Sequence, residues 1–151
     1  MAGRGSRFSE AGYLDPKPLI PVHGIPMIRW VIRNLTPKCD HRFIFIAQQE
    51  HIEKFGLKDK LANWAPGSEL VPIDGITEGA AITVLAAENL IDCDEPLIIA
   101  NSDQWIEVNF DDFVKELLAP TLDGLVMTMW ADDPKWSYVK TNENNVITEV
   151  A

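Results

Sequence analysis

The chain has 151 residues, 46% hydrophobic and 24% charged, which suits one soluble globular domain. Those proportions exclude a disordered chain, a collagen-like chain and a disulfide scaffold, and the uncharged apolar runs are too short to span a bilayer. The net charge of −10 argues against general nucleic-acid binding, although seven Lys/Arg against three acids make residues 1–42 locally +4 and leave −14 for the rest.

Residues 1–18 are rich in Gly and Pro and read as a long loop. Its opening Met-Ala-Gly-Arg-Gly-Ser-Arg has no apolar core, so no secretory leader is expected. Pro26 then opens an apolar helix over Met27–Leu35, with Arg29 and Arg33 four apart on a wet face and Thr36-Pro37 at its end. Phe43–Ala47 is a short continuous apolar run and predicts a buried strand. Residues 49–63 predict one or two short helices broken near Gly56. Glu69–Ile73 predicts a weak strand, and Pro72 places it at an edge or an end.

Residues 78–90 are Ala-rich and apolar on most sides, which predicts a buried helix. Pro96–Ala100 predicts another buried strand, stopped by Asn101-Ser102-Asp103. Asn109 or Asp111 caps a predicted helix over 111–119 that Pro120 ends. Leu125–Trp130 predicts a fourth strand, and 136–141 with 145–150 two short strands around Asn144-Asn145. Short apolar strands alternating with helices predict an α/β fold with a mostly parallel central sheet. Cys39 and Cys93 lie in no CxxC pair and near no His at ligand spacing, which argues against zinc. Two lone thiols suit a reducing cytoplasm, and a single disulfide between them stays open.

Gly3-Arg4-Gly5-Ser6-Arg7-Phe8 fits neither familiar glycine loop. The dinucleotide fingerprint needs Gly where Phe8 stands, and the phosphate-loop pattern needs a Gly-Lys-Ser/Thr that is absent. The loop still has phosphate chemistry. Two glycines let backbone N–H groups approach an anion, and Arg7 can fork onto its oxygens. Pro16-Lys17-Pro18 fixes an ammonium between two rigid residues, so less backbone freedom is lost when it orders. The plain alternative is a surface turn with ordinary cations. Asp103 ends an apolar strand, where ligands lie in open parallel sheets; taken alone it reads first as a helix- or turn-capping Asp.

Three motifs stand in order within 28 residues: Met1-Ala2-Gly3-x-Gly5-Ser6-Arg7-Phe8, Pro16-Lys17-Pro18-Leu19 and Gly24-x-Pro26-Met27-Ile28. Together they closely resemble the N-terminal signature of the sugar-phosphate nucleotidyltransferases, the nucleotide-sugar pyrophosphorylases. The resemblance continues through Glu78-Gly79-Ala80-Ala81, Asp103 and Tyr138-Val139, and within the family it is most similar to members from bacterial surface-polysaccharide clusters.

The resemblance implies a Rossmann-like three-layer α/β/α fold and transfer of a nucleoside monophosphate from a nucleoside triphosphate to a sugar phosphate or similar phosphorylated acceptor, with release of pyrophosphate. It implies nucleotide binding by Ala2, Gly3, Gly5 and Ser6, with the two glycines cradling the triphosphate. Arg7 and Lys17 would be catalytic, Arg7 on the departing pyrophosphate and Lys17 against the α-phosphate. Asp103 would hold Mg²⁺, and Glu78 and Gly79 would touch base and ribose. The implied partners are the triphosphate and the acceptor, with no nucleic acid and no membrane, in the cytoplasm; a homo-oligomer is compatible.

Three departures stand out. The family's usual Gly-Asp is here Ser102-Asp103, the family's loop normally follows an apolar first strand, and the run to Val150-Ala151 stops where the family usually continues into Glu-Lys. The resemblance therefore implies a single nucleotidyltransferase-like domain over 1–151, truncated at both ends, with weak or no turnover as it stands. A nucleotide-binding module without chemistry and a metal-dependent glycosyltransferase are the competing readings; Ser102-Asp103-Gln104 lacks the Asp-x-Asp that the latter needs.

Overall fold

The computed structural model describes residues 1, 8, 10 and 12–150. They form two compact units, 1–115 and 116–151. In the first unit a single turn of 3₁₀ helix over Lys17–Leu19 leads into a small hairpin of β1 (Pro21–Val22) and β2 (Ile25–Pro26). Its two-residue turn needs positive φ at both positions, which His23 (50°) and Gly24 (77°) supply.

Helix α1 (Met27–Asn34) follows directly. Ile28, Val31 and Ile32 fall at i, i+3 and i+4 and are all buried, so the predicted apolar face is the one that packs. Thr36 donates its hydroxyl to the Ile32 carbonyl at 2.6 Å and satisfies the helix end. Strand β3 (Ile44–Gln48) buries Phe45 and Ala47. It pairs in parallel with β4 (Glu69–Ile73), Ile44 opposite Glu69 through Gln48 opposite Ile73.

The crossover between them is α2 (Gln49–Phe55) and α3 (Leu57–Trp64), broken at Gly56 as predicted. Gly56 sits in the left-handed region at φ 59°, ψ 43° and serves as the end of one helix and the start of the next. A Cβ there would meet no atom within 4 Å, so Gly56→Ala tests backbone strain alone. It is expected to cost about 1–2 kcal/mol in a urea unfolding series. The core of this unit joins Leu19, α1, β3 and α3, with Leu57 and Leu61 each 1% exposed.

The segment after β4 differs from its prediction. The buried helix expected over 78–90 is two short helices, α4 (Ala80–Leu85) and α5 (Glu88–Ile91), with no buried residue in either. Ala86 and Ala87 donate to Thr83 and Val84, i→i−3 bonds that tighten and end the first helix. Residues 96–100 make no ladder, and Leu97 and Ile99 are exposed. An apolar run supplies the side chains of a strand but not the neighbour whose backbone would complete it.

Helix α6 (Phe110–Leu117) starts beside Asn109, whose carbonyl accepts from the Asp112 N–H at 3.1 Å. Asp111 instead ties down the loop after α1: its carboxylate accepts from the Lys38 backbone N–H at 2.8 Å and pairs with the Lys38 ammonium at 3.3 Å. The first of these contacts leads in holding its carboxyl below the usual aspartate value. In the second unit, residues 125–130 form no strand. β5 (Val139–Thr141) and β6 (Ile147–Val150) pair antiparallel around a turn in which the Asn142 side chain accepts from Asn144 and Val146 N–H groups, each at 3.0 Å. Asn145 has φ 59° in that turn, and the two strands are shorter than the expected 136–141 and 145–150 but lie within them. Among the described residues the strands form three two-stranded sheets, of which β3–β4 is parallel.

Candidate active site

The Pro-bracketed lysine lies on the 3₁₀ turn. Pro16 enters at φ −63°, the Leu19 N–H donates to the Pro16 carbonyl at 2.8 Å, and the Ile20 N–H donates to Lys17 at 3.2 Å. Pro18 and Leu19 are buried beneath it, and Met27 donates to the Ile20 carbonyl at 3.0 Å, which joins the turn to the start of α1. Leu57 and His51 meet Pro16, Pro18 and Leu19 in a small apolar recess behind the turn. The backbone under Lys17 is thus clamped, while its side chain keeps 34% of its surface in solvent.

Lys17 forms an ion pair with Asp103. The carboxylate comes from the turn after 96–100, where Asn101 donates its side-chain amide to Gln104 at 2.9 Å across the turn. The Lys17 ammonium also lies 5.4 Å from the centre of the Phe8 ring, a cation–π contact. The Met1 amino group is near the same carboxylate. Burial lowers its pKa, and the Asp103 charge acts in the opposite sense.

Asn34, the last residue of α1, faces the segment beyond Asp103. Its amide donates to the Ile106 carbonyl and accepts from the Ile106 N–H, both at 2.8 Å. Sequence reading singled out neither Phe8 as a partner of Lys17 nor Asn34 at all. Phe8 carried only the signal of its place in the first motif, and Asn34 carried none.

Ala2, Gly3, Gly5, Ser6 and Arg7 lie outside the described residues. Glu78 is exposed, and Gly79 stands extended at the start of α4, where its carbonyl accepts from the Thr83 N–H and hydroxyl, both at 3.0 Å. No atom lies within 4 Å of where a Gly79 Cβ would stand, so its surface is open. Trp105 is 57% exposed and Trp130 fully exposed, so the packing role that aromatic residues usually take does not apply to either. His41 bonds to the Cys39 carbonyl and His51 stacks edge-on against Phe55, which are structural roles. Both cysteines are free and exposed.

Among the described residues no three His, Cys, Asp or Glu side chains gather into a metal cluster. Asp103 offers one hard carboxylate. Mg²⁺ is commonly held by one or two carboxylates together with substrate phosphates, so this donor fits an ion that arrives with a polyphosphate. No helix among the described residues is long and apolar enough to cross a membrane.

A family model described as nucleotidyl transferase matches residues 1–151. The chain belongs to that family. Nucleotidyl transferase family relatives include the bifunctional protein GlmU of Methanocaldococcus jannaschii, 26% identical over an alignment of 156 residues that covers 97% of this chain and 33% of that protein. The bifunctional protein GlmU of Methanococcus aeolicus is 25% identical over 150 residues, again 97% and 33%. The chain therefore spans about a third of the length of these relatives. A crystal structure described as a nucleoside-diphosphate-sugar pyrophosphorylase from Vibrio cholerae RC9 matches with a TM-score of 0.75 at 21% identity, over 100% of this chain and 64% of that one. The nucleotidyl transferase α/β fold is thus shared at low identity.

Proposed function

We propose that the protein is an enzyme that transfers a nucleoside monophosphate from a nucleoside triphosphate to a sugar phosphate, or a similar phosphorylated acceptor, and releases pyrophosphate. The observation that carries this reading is the meeting of Lys17 and Asp103 in a chain of the nucleotidyl transferase family. A fixed cation and a hard carboxylate in contact are what a polyphosphate with its counter-ion requires.

In the reaction a phosphate oxygen of the acceptor attacks the α-phosphorus. The new P–O bond forms as the bond to the β-phosphate oxygen breaks, and pyrophosphate takes the electron pair. The attacking oxygen is already anionic, so no general base is needed. The protein's task is to align two repelling anions and neutralise charge as it builds. Lys17 is assigned to the α-phosphate, Arg7 to the leaving pyrophosphate, and Ala2, Gly3, Gly5 and Ser6 to the phosphate cradle. Glu78 and the open backbone of Gly79 are assigned to the base and ribose. Asp103 is assigned to Mg²⁺, which would supply positive charge to offset that of the phosphates.

The Lys17–Asp103 pair suits this use because it is easily exchanged. Its side chains are 34% and 26% exposed, so solvent and a ligand can reach both partners. A triphosphate carrying Mg²⁺ offers each partner a stronger one. The parallel β3–β4 pair with its helical crossover supports the three-layer α/β/α reading, and the free, exposed cysteines suit a cytoplasmic setting. The surface-polysaccharide assignment rests on the likeness of the sequence to those members of the family.

A panel of nucleoside triphosphates against sugar phosphates, read by pyrophosphate release from the full-length protein, tests the reading and names base and acceptor. In that assay Asp103→Asn is expected to lower the rate at least about 100-fold with the fold retained. No release with any pair, or an Asp103→Asn variant as fast as the parent, overturns it.

A further inference from the structure

We propose that Asn34 is a positioning residue for Asp103. The inference rests on the metal role proposed for Asp103 and goes beyond it. Among the described residues, the backbone over 96–108 joins no strand or helix. The Asp103 carboxylate therefore stands on a stretch with no ladder to hold it. What the stretch has instead is the Asn34 amide, which engages both backbone polar groups of Ile106 at 2.8 Å. One hydrogen bond leaves a segment free to pivot; two bonds from one planar amide fix its direction as well. Asn101 and Gln104 close the turn that contains Asp103.

The same helix holds the other side of the site. Met27, the first residue of α1, bonds the Ile20 carbonyl at the end of the Lys17 turn, and Asn34, its last residue, bonds the Asp103 segment. Ile28, Val31 and Ile32 bury α1 in the core, so it acts as a rigid spacer. Asn34 thereby sets where the carboxylate stands relative to Lys17.

The test uses the full-length protein with Asn34→Ala, Asp103→Asn and the double variant. Binding of ATP, CTP, GTP, UTP and dTTP is measured by calorimetry over a Mg²⁺ series, with urea unfolding alongside. Asn34→Ala is expected to raise the Mg²⁺ concentration for half-maximal nucleotide binding about tenfold, while binding without Mg²⁺ is unchanged. In the Asp103→Asn background it is expected to add nothing. Asn34→Gln carries both amide groups one methylene further out and serves where the alanine variant does not fold; a smaller shift in the same direction is expected. A Mg²⁺ dependence unaltered by either Asn34 variant, with Asp103→Asn effective, overturns this inference alone. So does a tenfold shift that persists without the Asp103 carboxylate. Asp103→Asn without effect on the Mg²⁺ dependence overturns the metal role itself and this inference with it.

Discussion

Lys17→Ala is expected to lower the rate of nucleotidyl transfer by about 10²–10³-fold while the protein stays folded. The size follows from what the ammonium would do: meet charge that builds at the α-phosphate, from a backbone already held by Pro16, Pro18 and the buried Leu19. That position costs no reorganisation at the moment of reaction, which is where a fixed charge gains its effect. The fold should survive because the side chain is partly in solvent and is no part of the hydrophobic core cluster. Lys17→Arg is expected to recover only part of the rate, since a planar fork does not replace a compact point charge. The checks are pyrophosphate release and a urea unfolding curve on each variant. An alanine variant with the parent's rate would remove Lys17 from the site.

Leu57→Ala is expected to cost about 2–5 kcal/mol of stability, read as a lower urea midpoint at unchanged slope. Leu57 is 1% exposed, joins the core cluster with Leu61 and Ala47, and faces the recess behind Pro16, Pro18 and Leu19. Deleting its branched end leaves a void that this small core cannot close. Leu57→Met, which nearly conserves volume, is expected to cost under about 1.5 kcal/mol. Because the recess backs the Lys17 turn, the alanine variant is also expected to lose nucleotide affinity under conditions where it remains folded. Unchanged stability would show that this face of α3 repacks.

Local chemistry made much of the first unit legible. The i, i+3, i+4 spacing of Ile28, Val31 and Ile32 gave α1 its buried face, and the glycine at 56 marked the joint between α2 and α3. The polar Asn144-Asn145 pair marked the turn between β5 and β6. These features depend on bonds within a few residues of one another. The apolar runs at 78–90, 96–100 and 125–130 depend on what lies beside them. At 78–90 and 96–100 hydrophobicity suggested a buried element and at 125–130 a strand, yet Ile82, Ile99 and Trp130 are exposed. Burial belongs to a pair of surfaces, and a single run contains only one of them.

The site divides in the same way. Sequence by itself made Lys17 and Asp103 candidate groups, Lys17 as a proline-bracketed cation and Asp103 through the family resemblance of the N-terminal motifs. It also set the +4 charge of the first 42 residues against −14 for the rest. Tertiary structure alone decided that the two groups touch, that Phe8 lies beside the ammonium, and that Asn34 holds the chain beyond Asp103. The physical reason is range. A residue's charge and backbone preference are local and can be read in place, whereas contact between distant segments follows from how α1 packs on the core and brings its two ends to both of them.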